Sequence, residues 1–204
     1  MQLIDLSHQI TENMPVYPGD QHTKIETGNI IQKDGCEDHY LSLGTHAGTH
    51  IDAPSHMILG AKTLDQFPLE KFTGKGVYIP VQNKRFDLSA ISSVAIQEGD
   101  IVLFHTEMSA RYDKPDYFSE YPSLPEELAN YLIQKKVKMV GVDTCSVDHD
   151  ELTAHKLLLQ QDILILENLT NMKELKDKQF KISAFPLNLA LDGSPTRVVA
   201  ELQE

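Results

Sequence analysis

Four short apolar runs constrain this chain more than any other feature: residues 76–81, 100–104, 137–142 and 163–166. They are rich in Val and Ile and bounded by Gly, Asp or Pro, the pattern of strands. A strand with one wet face alternates polar and apolar residues. A continuous run such as ILIL at 163–166 instead suits a strand buried on both faces. Residues 2–6 and 197–202 read as two further strands.

Between the later runs lie helical patterns. Ser123 and Glu126 have the spacing of a capping box, Pro125 suits a first turn, and Glu126 and Glu127 favour the positive end of the helix dipole. Leu128, Leu132 and Ile133 then share one face, and Lys135 and Lys136 follow where positive charge is favoured. Residues 150–161 read as a second helix, with Leu152, His155, Leu158 and Leu159 at helical spacing. Helix–strand alternation in the second half implies βα units, and the first half is rich in strands and loops. The expected class is mixed α/β.

Nothing in the 204 residues divides the chain: no repeat, no Gly/Ser-rich linker and no long charge run. A single domain spanning 1–204 is expected. The segment 107–122 is polar and aromatic, with Tyr112, Tyr117, Phe118 and Tyr121 among charges, and reads as a loop that either covers a site or is plain surface. The net charge of −12 repels phosphate backbones and anionic lipid, so neither nucleic acid nor a membrane surface is an expected partner. The start lacks a basic flank and a long apolar run, and no apolar stretch nears the ~20 residues that span a bilayer. A cytoplasmic protein is expected. Cys36 and Cys145 form neither a CxxC pair nor a zinc-finger spacing; two free thiols is the plainer reading, with a disulfide left open.

The densest chemistry is GTHAGTHIDAPSHM, residues 44–57. It holds His46, His50, Asp52 and His56 within eleven positions. Imidazole and carboxylate together suit Zn, Mn or Fe. Gly48, the threonines and Pro54 oppose a helix here. In an extended chain His50 and Asp52 point to one side, and the glycines let the backbone bend His46 toward the same point. Four candidate ligands in so short a span favour a metal site over a polar loop whose histidines bond only to backbone or water. A second cluster spans 141–169. Asp143 and Glu167 end successive apolar runs, where α/β folds often place catalytic groups, and His155 lies on the helix between them. The plainer alternative has Asp143 capping a turn, Asp148 and Asp150 solvated, and His155 packed on a helix face.

The segment H-A-G-T-H-I-D-A-P-S-H matches, at every fixed position, the H-x-G-T-H-x-D-x-P-x-H motif of the cyclase family, which includes bacterial kynurenine formamidases and isatin hydrolases. The resemblance extends over almost the whole chain, through IDLSHQITENMPVYPGD, VGVDTCSVD, the pair His155 and Glu167, and LDGSPTRVVA. It implies a single swivelling β/β/α domain, assembled as a homodimer or higher homo-oligomer. It implies that His46, His50 and Asp52 bind one metal, that His155 binds a second, and that Asp52 and Glu167 bridge the two. Zn is the implied metal, as one or two ions per subunit, with Mn as the alternative. His56 is implied to shuttle protons during metal-dependent hydrolysis of a small amide, such as an N-formyl arylamine, with ring opening of a cyclic amide or attack on another small amide or lactone as alternatives. The formamidases are expected to carry Trp in the N-terminal turn, stacked on substrate; this chain has no Trp, and Tyr17 stands there. Tyr can still stack. A catalytically silent metal-binding protein of the same fold is the non-enzymatic alternative, and His56 speaks against it, because a pure binding site needs no proton shuttle. No G-x-S-x-G elbow supports serine hydrolysis.

Overall fold

A computed structural model describes residues 1–149 and 151–203. Its strands are β1 (Gln2–Asp5), β2 (Lys24–Thr27), β3 (His39–Ser42), β4 (His50–Asp52), β5 (Thr73–Pro80), β6 (Ile101–His105), β7 (Met139–Val142), β8 (Leu164–Glu167), β9 (Phe180–Pro186) and β10 (Gly193–Leu202). Its α-helices are α1 (Ile31–Asp34), α2 (Leu88–Ser92), α3 (Glu126–Gln134) and α4 (Thr153–Gln160). The sheet runs β10-β4-β8-β7-β6-β5-β9, and β9 returns to β10, which closes a barrel. Strand β1 flanks β10. Strands β5 to β8 are parallel, joined by helical crossovers. The mixed α/β class is as expected.

The apolar runs are explained by two cores, one on each face of the same strands. Ile101, Leu103, Met139, Leu164 and Leu166 point into the barrel with Phe180, Ile182, Val198 and Ala200. Val102, Phe104, Val140, Val142, Ile163 and Ile165 point outward under Leu128 and Leu132 of α3 and Leu158 of α4. Each buried leucine contributes about 1.5–3 kcal/mol relative to exposure.

Several expectations shift in detail. The Ser123–Glu126 capping box does not form. Pro125 itself takes the cap position in an extended conformation, and its carbonyl accepts the first helical bonds from Leu128 and Ala129. The second helix starts at Thr153, because Leu152 is left-handed (φ 51°) and cannot belong to it; Asp150 lies outside the described residues. Strand β10 begins at Gly193, four residues before the apolar stretch that revealed it. Strands β2, β3, β4 and β9 were not expected. The β2–β3 pair is exposed along almost its whole length, so no burial pattern marks it. The segment 107–122 is not plain surface: Tyr112, Tyr117 and Tyr121 are buried with Met108 and Cys145. Both cysteines are free, Cys36 exposed and Cys145 buried.

Gly76 sits opposite Phe180 in the β5–β9 ladder, and a Cβ there would fall 2.0 Å from the ring. The ring has no room to retreat in the barrel core. Gly76→Ala is therefore expected to lower stability by about 1–3 kcal/mol, the range for overpacking a tight interior. Urea unfolding of both proteins measures it, and an unchanged midpoint would contradict the packing argument.

Candidate metal centre

Strand register builds the site. In β4, His50 and Asp52 lie two residues apart and project to one side, while Ile51 between them enters the barrel core. Antiparallel pairing sets His50 directly opposite Glu167 of β8, which places Glu167 on the same outer face. Helix α4 packs over that face and brings in His155. His46 arrives from the turn before β4, where Gly48 is left-handed (φ 62°) and reverses the backbone. His56 follows on a short 3₁₀ turn, Pro54–His56, that Pro54 starts.

Among the described residues, ligand-type atoms within 4.8 Å of one another form three groups: His46, His50 and Asp52; Asp52, His155 and Glu167; and His46, His56 and Asp192. Asp52 joins the first two. Its Oδ1 lies 2.8 Å from His46 Nδ1 and 3.4 Å from His50 Nε2, and its Oδ2 lies 3.7 Å from His155 Nε2. Glu167 reaches His50 Nε2 at 3.4 Å and His155 Nε2 at 3.2 Å. Asp52, His50, His155 and Glu167 are all buried.

The donor set fits a divalent cation. Asp52 Oδ2 is buried without a hydrogen-bond partner among the described residues, which is costly unless something positive meets it. The inner imidazoles have the outer partners expected of ligands. His50 Nδ1 donates to Gly48 O at 2.8 Å, and His155 Nδ1 donates to Asp148 Oδ1 at 2.6 Å, which leaves both Nε2 atoms facing the carboxylates.

The electrostatics agree. Burial alone would lower the His50 imidazole, but Asp52 and Glu167 outweigh it and raise its pKa to about 10. Burial opposes His155 likewise, yet its hydrogen bond to Asp148 and the facing carboxylates of Asp52 and Glu167 hold it well above the usual range. Burial would raise Asp52, and the His46 and His50 charges pull it well below the carboxylate range instead. Glu167 is lowered as well, its bonds from His155 and His50 overriding burial and the Asp52 charge. His56 goes the other way: burial lowers it, and nearby His46 and His155 lower it further against the pull of Asp52 and Asp192.

A cavity of about 600 Å³ opens onto these groups. Its wall includes Tyr17, Asp20, Tyr112, Phe118, His149 and Leu152. Tyr17 meets Phe118 edge-to-face, ring centroids 5.8 Å apart, so the 107–122 segment contributes to the site wall. His149 lies on the wall against Tyr121.

The structure thus brings together His46, His50, Asp52, His56, His155 and Glu167, with Tyr17 at the wall. Asp143 stands apart. It accepts from Thr106 N and Oγ1 at 2.7 Å and anchors the turn after β6. Asp148 is not solvated; it is buried, fixes His155 and accepts from Ala154 N and His155 N at the start of α4. Its place before a helix start was the available signal. Phe118 comes from the segment expected either to cover a site or to be plain surface, whereas Asp192 and Asn168 were not anticipated. Asn168 Nδ2 donates to the same Gly48 carbonyl that holds His50, and Tyr117 donates to Asn168 Oδ1.

Comparison with known proteins agrees with this architecture. The sequence profile of a family described as cyclase matches residues 4–149. An uncharacterized protein of Methanocaldococcus jannaschii is 33% identical over 99% of this chain and 100% of its own length. A kynurenine formamidase of Bacillus cereus is 30% identical, covering 96% of this chain and 95% of its own. Isatin hydrolase A from Labrenzia aggregata superposes with a TM-score of 0.88 at 27% identity, over 100% of this chain and 94% of that one. A structure described as a potential metal-dependent hydrolase with cyclase activity gives 0.84 at 30% identity, covering 100% and 98%.

Proposed function

The chain belongs to the cyclase family, and we propose from that premise that residues 1–204 form one domain that hydrolyses a small amide, an N-formyl arylamine, with the help of a bound metal. The observation that carries this is Asp52: a fully buried carboxylate shared by two imidazole–carboxylate groups, with one oxygen unpartnered among the described residues, behind His46, His50, His155 and Glu167, which line a cavity with aromatic walls. His46, His50 and Asp52 would hold one ion, and His155 and Glu167 a second, with Asp52 and Glu167 between them. Zn is the proposed ion and Mn the alternative, since His/carboxylate sites admit both. When bound there, a divalent ion would polarise the carbonyl and would lower the pKa of water from about 15.7 toward ~7.

The chain's own residues do the rest. Tyr17 and Phe118 offer ring edges and faces that orient an aryl group. Gly48 O and Asp148 fix the tautomers of His50 and His155. His56 Nδ1 is turned to Asp192, which leaves Nε2 to pass a proton to the departing nitrogen. Water adds to the formyl carbon, the C–N bond breaks, and formate and the arylamine leave. The exposed Tyr40 and Leu41 of β3 and Ile31 of α1 support a homo-oligomer.

One observation favours a second reading, ring opening of a cyclic amide of the isatin type. Isatin hydrolase A superposes over the whole of this chain with a TM-score of 0.88.

The test is hydrolysis of N-formylkynurenine and of isatin by chelated and by metal-reconstituted protein. Metal-dependent release of formate and kynurenine is the expected result. Turnover of isatin alone would select the second reading. No turnover of either compound by metal-loaded protein would remove both substrates.

A further inference from the structure

Asp192 carries no role in the motif, yet it is tied to the site across the fold. Its Oδ2 lies 2.8 Å from His46 Nε2 and 3.3 Å from His56 Nδ1. One oxygen therefore meets both rings, whose centroids are 4.1 Å apart. The backbone fixes this placement. Gly193 pairs with Asp52 in the β10–β4 ladder, and Ala53 N donates to Asp192 O at 2.8 Å. Asp192 is thus locked to the strand that carries His50 and Asp52. Gly193 completes the seat: a Cβ at that position would fall 2.8 Å from His46 Cε1 and 3.0 Å from Nε2. The ring rests directly against the glycine backbone.

We propose that the Asp192–Gly193 pair is a seat for His46 and that Asp192 is a positioning residue joining that candidate ligand to the proton-carrying His56. This rests on the reading of His46 as a metal ligand. His46 turns Nδ1 toward Asp52, so its Nε2–H is the group free to donate to Asp192. A carboxylate bonded to the far nitrogen of a ligating imidazole fixes its orientation and raises its basicity, and losing such a partner typically costs about 10–100-fold in metal affinity. The same oxygen accepts from His56 Nδ1 and aims the other nitrogen of that ring at the cavity. Asp192 thereby couples retention of the ion to orientation of the proton carrier.

The experiment measures Zn²⁺ affinity of the full chain by chelator competition, which needs no substrate, and then kcat and KM separately on whichever amide is turned over. Asp192→Ala is expected to lower Zn²⁺ affinity about 10–100-fold and to lower kcat more than it raises KM. Asp192→Asn keeps an oxygen acceptor and is expected to recover part of the affinity. Gly193→Ala crowds the ring at its Cε1–Nε2 edge and is expected to lower the affinity too; it carries the test should Asp192→Ala fail to fold. Wild-type Zn²⁺ affinity in both Asp192→Ala and Gly193→Ala would overturn the proposal, as would an Asp192→Asn protein no better than Asp192→Ala. Because affinity is read without substrate, a wrong choice of amide leaves this result standing.

Discussion

His56→Ala is expected to lower kcat by about 10²–10⁴-fold, the usual contribution of a positioned general acid or base, while Zn²⁺ content stays at the wild-type level. The separation follows from geometry. His56 belongs to neither of the two groups that share Asp52. Its ring lies 4.1 Å from that of His46 and 6.0 Å from that of His155, close enough to serve the same substrate atoms. The pKa argument points the same way. The inner histidines are raised by carboxylates, whereas burial and neighbouring imidazoles depress His56. A depressed imidazole is neutral at pH 7 and can take a proton from water before passing it to the leaving nitrogen. Added imidazole should restore part of the lost rate, because the substitution opens space where the ring stood. Wild-type kcat in the variant would remove the proton role. Loss of Zn²⁺ would instead make His56 a ligand.

What the sequence made legible, and what it hid, follows from the range of each interaction. Strands β6, β7 and β8 were readable because burial on both faces leaves a continuous apolar run. Strand β4 was not, since His50, Ile51 and Asp52 obey the site and the core at once. Strand β9 carries a period of two over only seven residues, with Phe180, Ile182 and Ala184 buried between more exposed residues. The first half of the site lies within eleven consecutive residues, so local chemistry exposed it. Glu167 at the end of an apolar run and His155 on the helix before it stand out as candidates in the sequence, the family resemblance implies that they are ligands, and strand register supplies the physical reason they belong. Asp192 lies in LDGSPTRVVA, a stretch that the resemblance covers without giving Asp192 a role. It meets His46 across 146 residues, and in the sequence its Asp-Gly pair reads only as a turn.

Asp52→Asn should have the largest effect on the ion, lowering Zn²⁺ affinity by more than about 100-fold. Losing an outer partner of a ligand already costs about 10–100-fold, and Asp52 is the one carboxylate shared by both inner groups. The same substitution should reshape the pH dependence of the metal-free protein. Asp52 is depressed well below its ordinary 3.8, so its contribution to stability is present above that value and fades as pH falls toward the folded pKa. His50 is raised from 6.5 to about 10, so its contribution is complete below 6.5 and is lost as pH rises through 10. The two contributions are therefore both in force between about pH 4 and 6.5. Metal-free Asp52→Asn should fall furthest below the wild type in that window, by up to about 3–5 kcal/mol for a broken buried pair. The gap should narrow toward pH 10, where the wild-type His50 also gives up its charge. Urea unfolding across that range, on chelated protein, reads the gap directly. A gap that stays constant with pH would mean that Asp52 acts through shape alone. Wild-type Zn²⁺ affinity in the variant would take Asp52 off the ligand set, and with it the shared carboxylate on which the proposed hydrolysis depends.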